Sequence, residues 1–179
     1  LVYAQGFLGH VAHAGARNTF PNGAPHAGVN SIWTNKQVVD LMDHARRPLD
    51  MHRENKAWPL KIPADGLTLY PDILYLARTV ERVGSKFFVP WFDGRSSVGR
   101  LGLTVHCTAG KGDTGWFGTV TLEMHVKHPL TVYAGDRICQ ASFFTTVGER
   151  TMYNSRYQNQ EAPVAARMHM SAKDVEKMR

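Results

Sequence analysis

Two stretches of the chain alternate strictly between apolar and polar residues, a pattern that confines them to half-buried β-strands. From Leu101 to Thr108 the residues Leu101, Leu103, Val105 and Cys107 are apolar, while Thr104, His106 and Thr108 are polar. From Thr119 to Val126 the apolar residues are Val120, Leu122, Met124 and Val126, with Thr119, Thr121, Glu123 and His125 between them. Successive side chains on a strand point to opposite faces, so each stretch has a core face and a polar face. Between the two, Ala109 to Gly115 (AGKGDTG) supplies the glycines of a hairpin-type connection. Glu123 is then the lone carboxylate on either polar face.

The rest of the chain extends this pattern. From Trp58 onward short apolar runs are punctuated by Pro63, Gly66, Pro71, Gly84, Pro90 and Gly94, the cadence of an all-β sandwich or barrel. Residues 1–30 are rich in Gly, Ala, His and Asn, carry no period, and read as a loop or extended arm. Asn35 to His44 fits a helix face through Val38, Leu41 and Met42, or a strand through Val39 and Leu41. With 179 residues, 43% hydrophobic and 20% charged, the chain suits one globular domain, not a disordered protein. Residues 1–50 form its arm, 51–150 a β core and 151–179 a tail. No apolar stretch reaches the roughly 18 residues of a membrane helix, and the opening LVYAQGFLGH lacks the basic flank and apolar block of a signal peptide. Cys107 and Cys139 are too few for a disulfide framework, which points to a reducing, cytoplasmic setting. The net charge of +6 favours anionic partners, but its cations are scattered and no nucleic-acid face is expected.

Gly94 to Arg100 (GRSSVGR) suits a phosphate group. A short helix starting near Ser96 leaves its first N–H groups unpaired, with Ser96 and Arg100 one turn apart on the same face. The same residues also fit a plain helix start beside surface arginines, and their spacing is not that of a Walker loop. Glu123 is either a general base whose pKa partial burial raises or a solvated strand-face carboxylate. Asp113 is a turn residue or a second polar contact. Adjacent strand residues point apart, so His106 and Cys107 do not form a nucleophilic pair, and Cys107 belongs with the core. His52-Arg53-Glu54 begins a zinc-deaminase signature, but no Pro-Cys-x-x-Cys follows, and no zinc site is expected. His10, His13 and His26 lie in the arm. Tyr153 to Gln160 (YNSRYQNQ) is a solvated terminus or a lid, with Arg156 for charge and Gln160 for hydrogen bonds. Ser171 with Asp174 caps a short C-terminal helix.

In fixed order, Gly94 to Glu123 (GRSSVGRLGLTVHCTAGKGDTGWFGTVTLE), Tyr133 to Gln140 (YAGDRICQ) and Ser155 to Gln160 (SRYQNQ) resemble the dCTP deaminase branch of the dUTPase-like superfamily. The match runs from about Leu67 to Pro163. The resemblance implies a distorted β-barrel or jelly-roll subunit with short helices, and a homotrimer with active sites between neighbouring chains. It implies zinc-independent hydrolysis of dCTP to dUTP and ammonia, with no membrane or nucleic-acid partner. By the same resemblance Arg95, Ser96, Ser97 and Arg100 hold the triphosphate with Mg²⁺ across it. Asp113 meets the deoxyribose, and backbone groups around Thr121 and Leu122 read the base edge. Glu123 matches the catalytic glutamate, which takes a proton from water as it adds to C4 of cytosine and passes it to departing ammonia. Ala109 matches the residue whose backbone helps position that water, and Tyr153, Arg156 and Gln160 match the ordering tail.

Thr108-Ala109-Gly110 resembles members that carry dUTP on to dUMP and pyrophosphate, whereas Trp116 resembles deaminase-only members. A dUTPase without deaminase activity and a non-catalytic nucleotide-binding regulator are the alternatives that use the same pocket. Three features depart from the family pattern. Val29 to Thr34 lacks the usual Asp-Leu-Arg, Arg156 stands where lysine is usual, and the spacer from Tyr153 to Arg156 is short.

Overall fold

A computed structural model describes residues 11–16, 49–55 and 57–177, with the backbone alone described at 11–16, 58 and 59. The expectations for Val29 to Thr34, Asn35 to His44, His10 and His26 fall outside the described residues. The architecture is mostly β and antiparallel. A five-stranded sheet runs in the order β2 (Trp58–Leu60), β1 (Val11–Ala16), β4 (Ile73–Gly84), β7 (Phe117–Val126), β6 (Leu103–Thr104). Two smaller ladders pair β3 (Leu67–Leu69) with β8 (Leu130–Val132), and β5 (Phe88–Gly94) with β9 (Cys139–Thr145). Among the described residues there are two short helices, α1 (Ser96–Gly99) and α2 (Ala172–Lys177).

The strand Val11–Ala16 corrects the expectation of a loop or arm across residues 1–30. It lies between β2 and β4 and pairs with both. Ladder partners on two edges supply what its Ala- and Gly-rich sequence does not favour by itself.

β7 is the second alternating stretch, extended by two residues at its start. Val120, Leu122, Met124 and Val126 are buried as the alternation requires, Leu122 and Met124 completely. Burying each such side chain stabilises the fold by about 1.5–3 kcal/mol. Across from β7, the register of β4 slips between Arg78 and Arg82. There the wholly buried Thr79 hydroxyl accepts the Val120 N–H (2.9 Å) and donates to the Glu81 carbonyl (2.8 Å). The side chain so replaces ladder bonds that the bulge breaks.

The first alternating stretch is not the eight-residue strand that its pattern predicts. Only Leu103–Thr104 pairs with β7. Leu101 belongs to the turn that leaves α1, held by Leu101 N–H to Val98 and Gly102 N–H to Gly99, with Gly102 at φ +79°. Leu101 is accordingly exposed. Past Val105 the chain leaves the ladder, and Cys107 is exposed, not in the core. Cys139 is the buried thiol, its pKa pushed up to about 12 by burial and by the charge of Glu81.

Ala109 to Gly115 is likewise not a tight hairpin. It runs as a strap along β5, with Phe92 N–H bonded to Gly110 (2.7 Å) and Gly112 N–H bonded to Pro90 (2.7 Å). A Cβ at Gly110 would stand 2.5 Å from the Phe92 carbonyl oxygen, so close approach, and not a reversal of the chain, demands that glycine. Pro90, read in sequence as punctuation, sits buried within β5 and accepts from the strap, needing no N–H of its own there.

Candidate active site

A cavity of about 570 Å³ lies against the polar face of β7, within the range of roughly 300–1,000 Å³ typical of small-molecule sites. It brings together Glu123, Thr121, Ala109, Asp113, Tyr153 and Gln160 from the residues singled out in the sequence. Arg95, Ser96, Ser97, Arg100, Leu122 and Arg156 do not line it.

Glu123 projects from β7 because it is out of phase with the buried Leu122 and Met124. Its Oε2 accepts the Cys107 N–H (3.1 Å), while its own N–H bonds Val105 (2.9 Å). The point at which the 101–108 segment leaves the ladder is therefore what fixes the carboxylate. Partial desolvation of the exposed Cys107 and the charge of Glu123 push its thiol pKa up.

Four residues earlier the edge of β7 is taken by the tail. Thr119 N–H donates to the Gln160 carbonyl (2.9 Å), and Gln160 Nε2 donates to the Thr119 carbonyl (2.8 Å) and to Thr121 Oγ1 (3.0 Å). Main-chain groups of alternate residues on a strand point to the same side. Thr121 lies between Thr119, bound to the tail, and Glu123, bound to Val105, so its N–H and C=O face the same edge, beside the cavity. Leu122 turns its main chain the other way, toward Ala77 of β4, and its side chain into the core.

Ala109 and Asp113 reach the cavity because the strap is laid along β5. Asp113 Oδ1 meets Lys111 Nζ at 3.0 Å, a half-exposed pair. His106 also lines the cavity, its ring tilted against Phe92 (centroids 6.4 Å apart). Both ring nitrogens are buried without a hydrogen-bond partner among the described residues. Burial lowers the His106 pKa, opposed by the charges of Glu123 and Asp93.

The tail is neither a loose terminus nor a detached flap. Trp116 Nε1 donates to the Tyr157 carbonyl (2.7 Å), and Tyr157 OH accepts the Arg167 N–H (3.0 Å). Arg156 turns from the cavity, its Nη2 donating to the Met170 carbonyl (3.1 Å). Beyond the tail, Ser171 and Asp174 form the expected cap of α2, and their hydrogen bonds lower the Asp174 pKa.

The 94–100 segment turns into the short helix that its sequence implies, with Arg100 N–H bonded to the Ser96 carbonyl one turn back (3.1 Å). Arg95 donates through Nη1 to the Arg137 carbonyl (3.2 Å). Ser96, Ser97 and Arg100 are exposed, on a surface separate from the cavity of the same chain. Sequence reading missed Leu49, Asn55, Leu74, Leu76 and Val164 as cavity walls. Leu74 and Leu76 are alternate residues of β4, while Leu49, Asn55 and Val164 come from separate places along the chain and share no local pattern. Among the described residues, no helix is long and apolar enough to cross a membrane.

The sequence matches the family described as dCTP deaminase-like over residues 32–146. A relative from Leptospira biflexa is 50% identical over 120 residues, covering 66% of this chain and 69% of its own. One from Cytophaga hutchinsonii is 47% identical over 121 residues (67% and 70%), and one from Clostridium beijerinckii 42% over 139 residues (77% and 79%). All three are named dCTP deaminase, dUMP-forming. A solved 2'-deoxycytidine 5'-triphosphate deaminase from Agrobacterium tumefaciens superposes with a TM-score of 0.49 at 17% identity, over 77% of this chain and 36% of that one.

Proposed function

Because the chain belongs to the dCTP deaminase family, we propose that it hydrolyses dCTP and carries the product through to dUMP, in the cytoplasm and without zinc. The observation that carries this reading is the carboxylate of Glu123, held by the Cys107 N–H in a cavity that it shares with Ala109, Asp113 and Thr121. The names of the relatives and the Thr108-Ala109-Gly110 turn support the dUMP-forming variant.

In the first step Glu123 takes a proton from water as its oxygen bonds to C4 of the cytosine ring. The carboxyl then gives that proton to the exocyclic nitrogen, the C4–N bond breaks with its electron pair leaving in ammonia, and the C4 hydroxyl proton ends on N3 as the C4 carbonyl forms. A positioned acid–base group of this kind is typically worth about 10²–10⁴-fold in rate. The Ala109 backbone helps to hold the water. The Thr121 main chain reads the base edge, with Leu122 beside it in sequence only, and Asp113 meets the deoxyribose. A second water then attacks the α-phosphorus of dUTP, the bond to the β-phosphate oxygen breaks, and dUMP and pyrophosphate are released.

Arg95, Ser96, Ser97 and Arg100 hold the triphosphate, with Tyr153, Arg156 and Gln160 as the tail that orders over it. Guanidinium groups suit phosphate oxygens and not a cation, so any Mg²⁺ would come with the triphosphate and would neutralise part of its charge there. The anion loop lies outside the cavity of its own chain, which supports a trimer of distorted barrels with each cavity completed by the loop of a neighbouring copy.

Incubating the protein with dCTP and Mg²⁺ and separating the products tests the reading. dUMP, pyrophosphate and ammonia are expected. dUTP with ammonia would restrict it to deamination, and turnover of dUTP with none of dCTP would replace it with a plain dUTPase.

A further inference from the structure

Gln158 lies outside the cavity, yet its amide ties together the segments that wall it. Oε1 accepts the Phe117 N–H (2.9 Å), and Nε2 donates to the carbonyls of Gly115 (2.8 Å) and Tyr153 (3.3 Å). Both amide hydrogens are used, and flipping the group would set Oε1 against two carbonyls and Nε2 against an N–H. One side chain thus joins the turn entering β7 to Tyr153 near the start of the tail. Its neighbours complete the seam, since the Tyr157 carbonyl accepts from Trp116 and the Asn159 N–H donates to Phe117 (2.8 Å). The approach is close enough that Gly115, at φ +85°, would put a Cβ 3.0 Å from the Met152 sulfur.

We propose that Gln158 is a positioning residue, the brace that holds Tyr153, Trp116, Tyr157 and Gln160 in place as one wall of the nucleotide pocket. The inference rests on the deaminase reading for its effect on turnover. The brace acts on binding shared by ground and transition states, so it governs KM and leaves kcat nearly unchanged.

Gln158→Glu keeps the size of the side chain but faces two carbonyls with no donor. At pH 7.5 the KM for dCTP is expected to rise roughly tenfold, as the loss of these hydrogen bonds implies, with kcat held within about twofold. Amide exchange at Phe117 and Asn159 should accelerate without nucleotide. At pH 5.5, as the new carboxyl regains a proton and with it one donor, the KM ratio to wild type should narrow. Gln158→Leu, which has no polar atom to recover, should show a ratio that does not narrow. Unchanged exchange and KM in Gln158→Glu would overturn the brace, as would a loss confined to kcat or the same pH response in both variants. A wild type that releases no ammonia from dCTP would overturn the deaminase reading instead, and the exchange comparison would still decide the brace.

Discussion

Glu123 is placed by a main-chain donor, the Cys107 N–H, so the position of its carboxylate depends on the path of the backbone at 107 more than on the side chain there. Glu123→Gln should lower ammonia release from dCTP by about 10²–10⁴-fold, measured by coupled ammonia assay, while calorimetry finds dCTP affinity retained. His106 sets a pH limit on stability. Burial lowers its folded pKa, so below the unfolded value of about 6.5 the unfolded chain takes up a proton that the native chain refuses. Stability contributed by His106 is therefore whole above about pH 6.5 and falls as pH drops toward the folded pKa. In His106→Phe this part of the acid loss should vanish, seen as a smaller difference in urea midpoint between pH 7.5 and 5.5 than in wild type.

At the level of elements, β7 supplies both core residues and the cavity-lining Thr121 and Glu123. Leu122→Ala, at a position with no exposure, should cost about 2–5 kcal/mol in urea unfolding. The strap over β5 is the more delicate part. Gly110→Ala forces a Cβ against the Phe92 carbonyl and should cost about 1–3 kcal/mol. Because Ala109 and Asp113 ride on that strap, the same change should weaken dCTP binding, as read by calorimetry. An equivalent substitution at Gly135, where a Cβ meets nothing within 4 Å, lacks this clash; its φ of +93° makes it a test of backbone strain alone.

For the whole molecule, the 94–100 turn lies apart from the cavity of its own chain, and the proposed trimer would make assembly part of the reaction. If neighbouring copies complete each site, Glu123→Gln and Arg100→Ala are both nearly inactive alone. Mixed from the unfolded state in equal amounts, they should recover roughly a quarter of wild-type turnover, since random trimers then pair an intact cavity with an intact loop at that frequency. A site built within one chain would recover nothing. The brace at Gln158 lies on the chain that carries the cavity, so Gln158→Glu should not complement Glu123→Gln in such mixtures.

Local pattern was enough to determine which faces of β7 are buried, that Glu123 stands alone on the other face, that residues 96–99 turn into a short helix, and that Ser171 caps the last one. These follow from neighbours two to four positions apart, the range over which backbone geometry repeats. Partner choice was decided only by tertiary contacts. Leu101 to Thr108 has the alternation of a strand, yet two residues pair, because the turn from α1 claims its start and the Glu123 carboxylate claims the N–H at its other end. The strap follows β5, and the tail follows the free edge of β7, through hydrogen bonds between residues about 20 to 40 positions apart in the chain. Periodicity specifies a face; what covers that face depends on which distant backbone has groups left to pair.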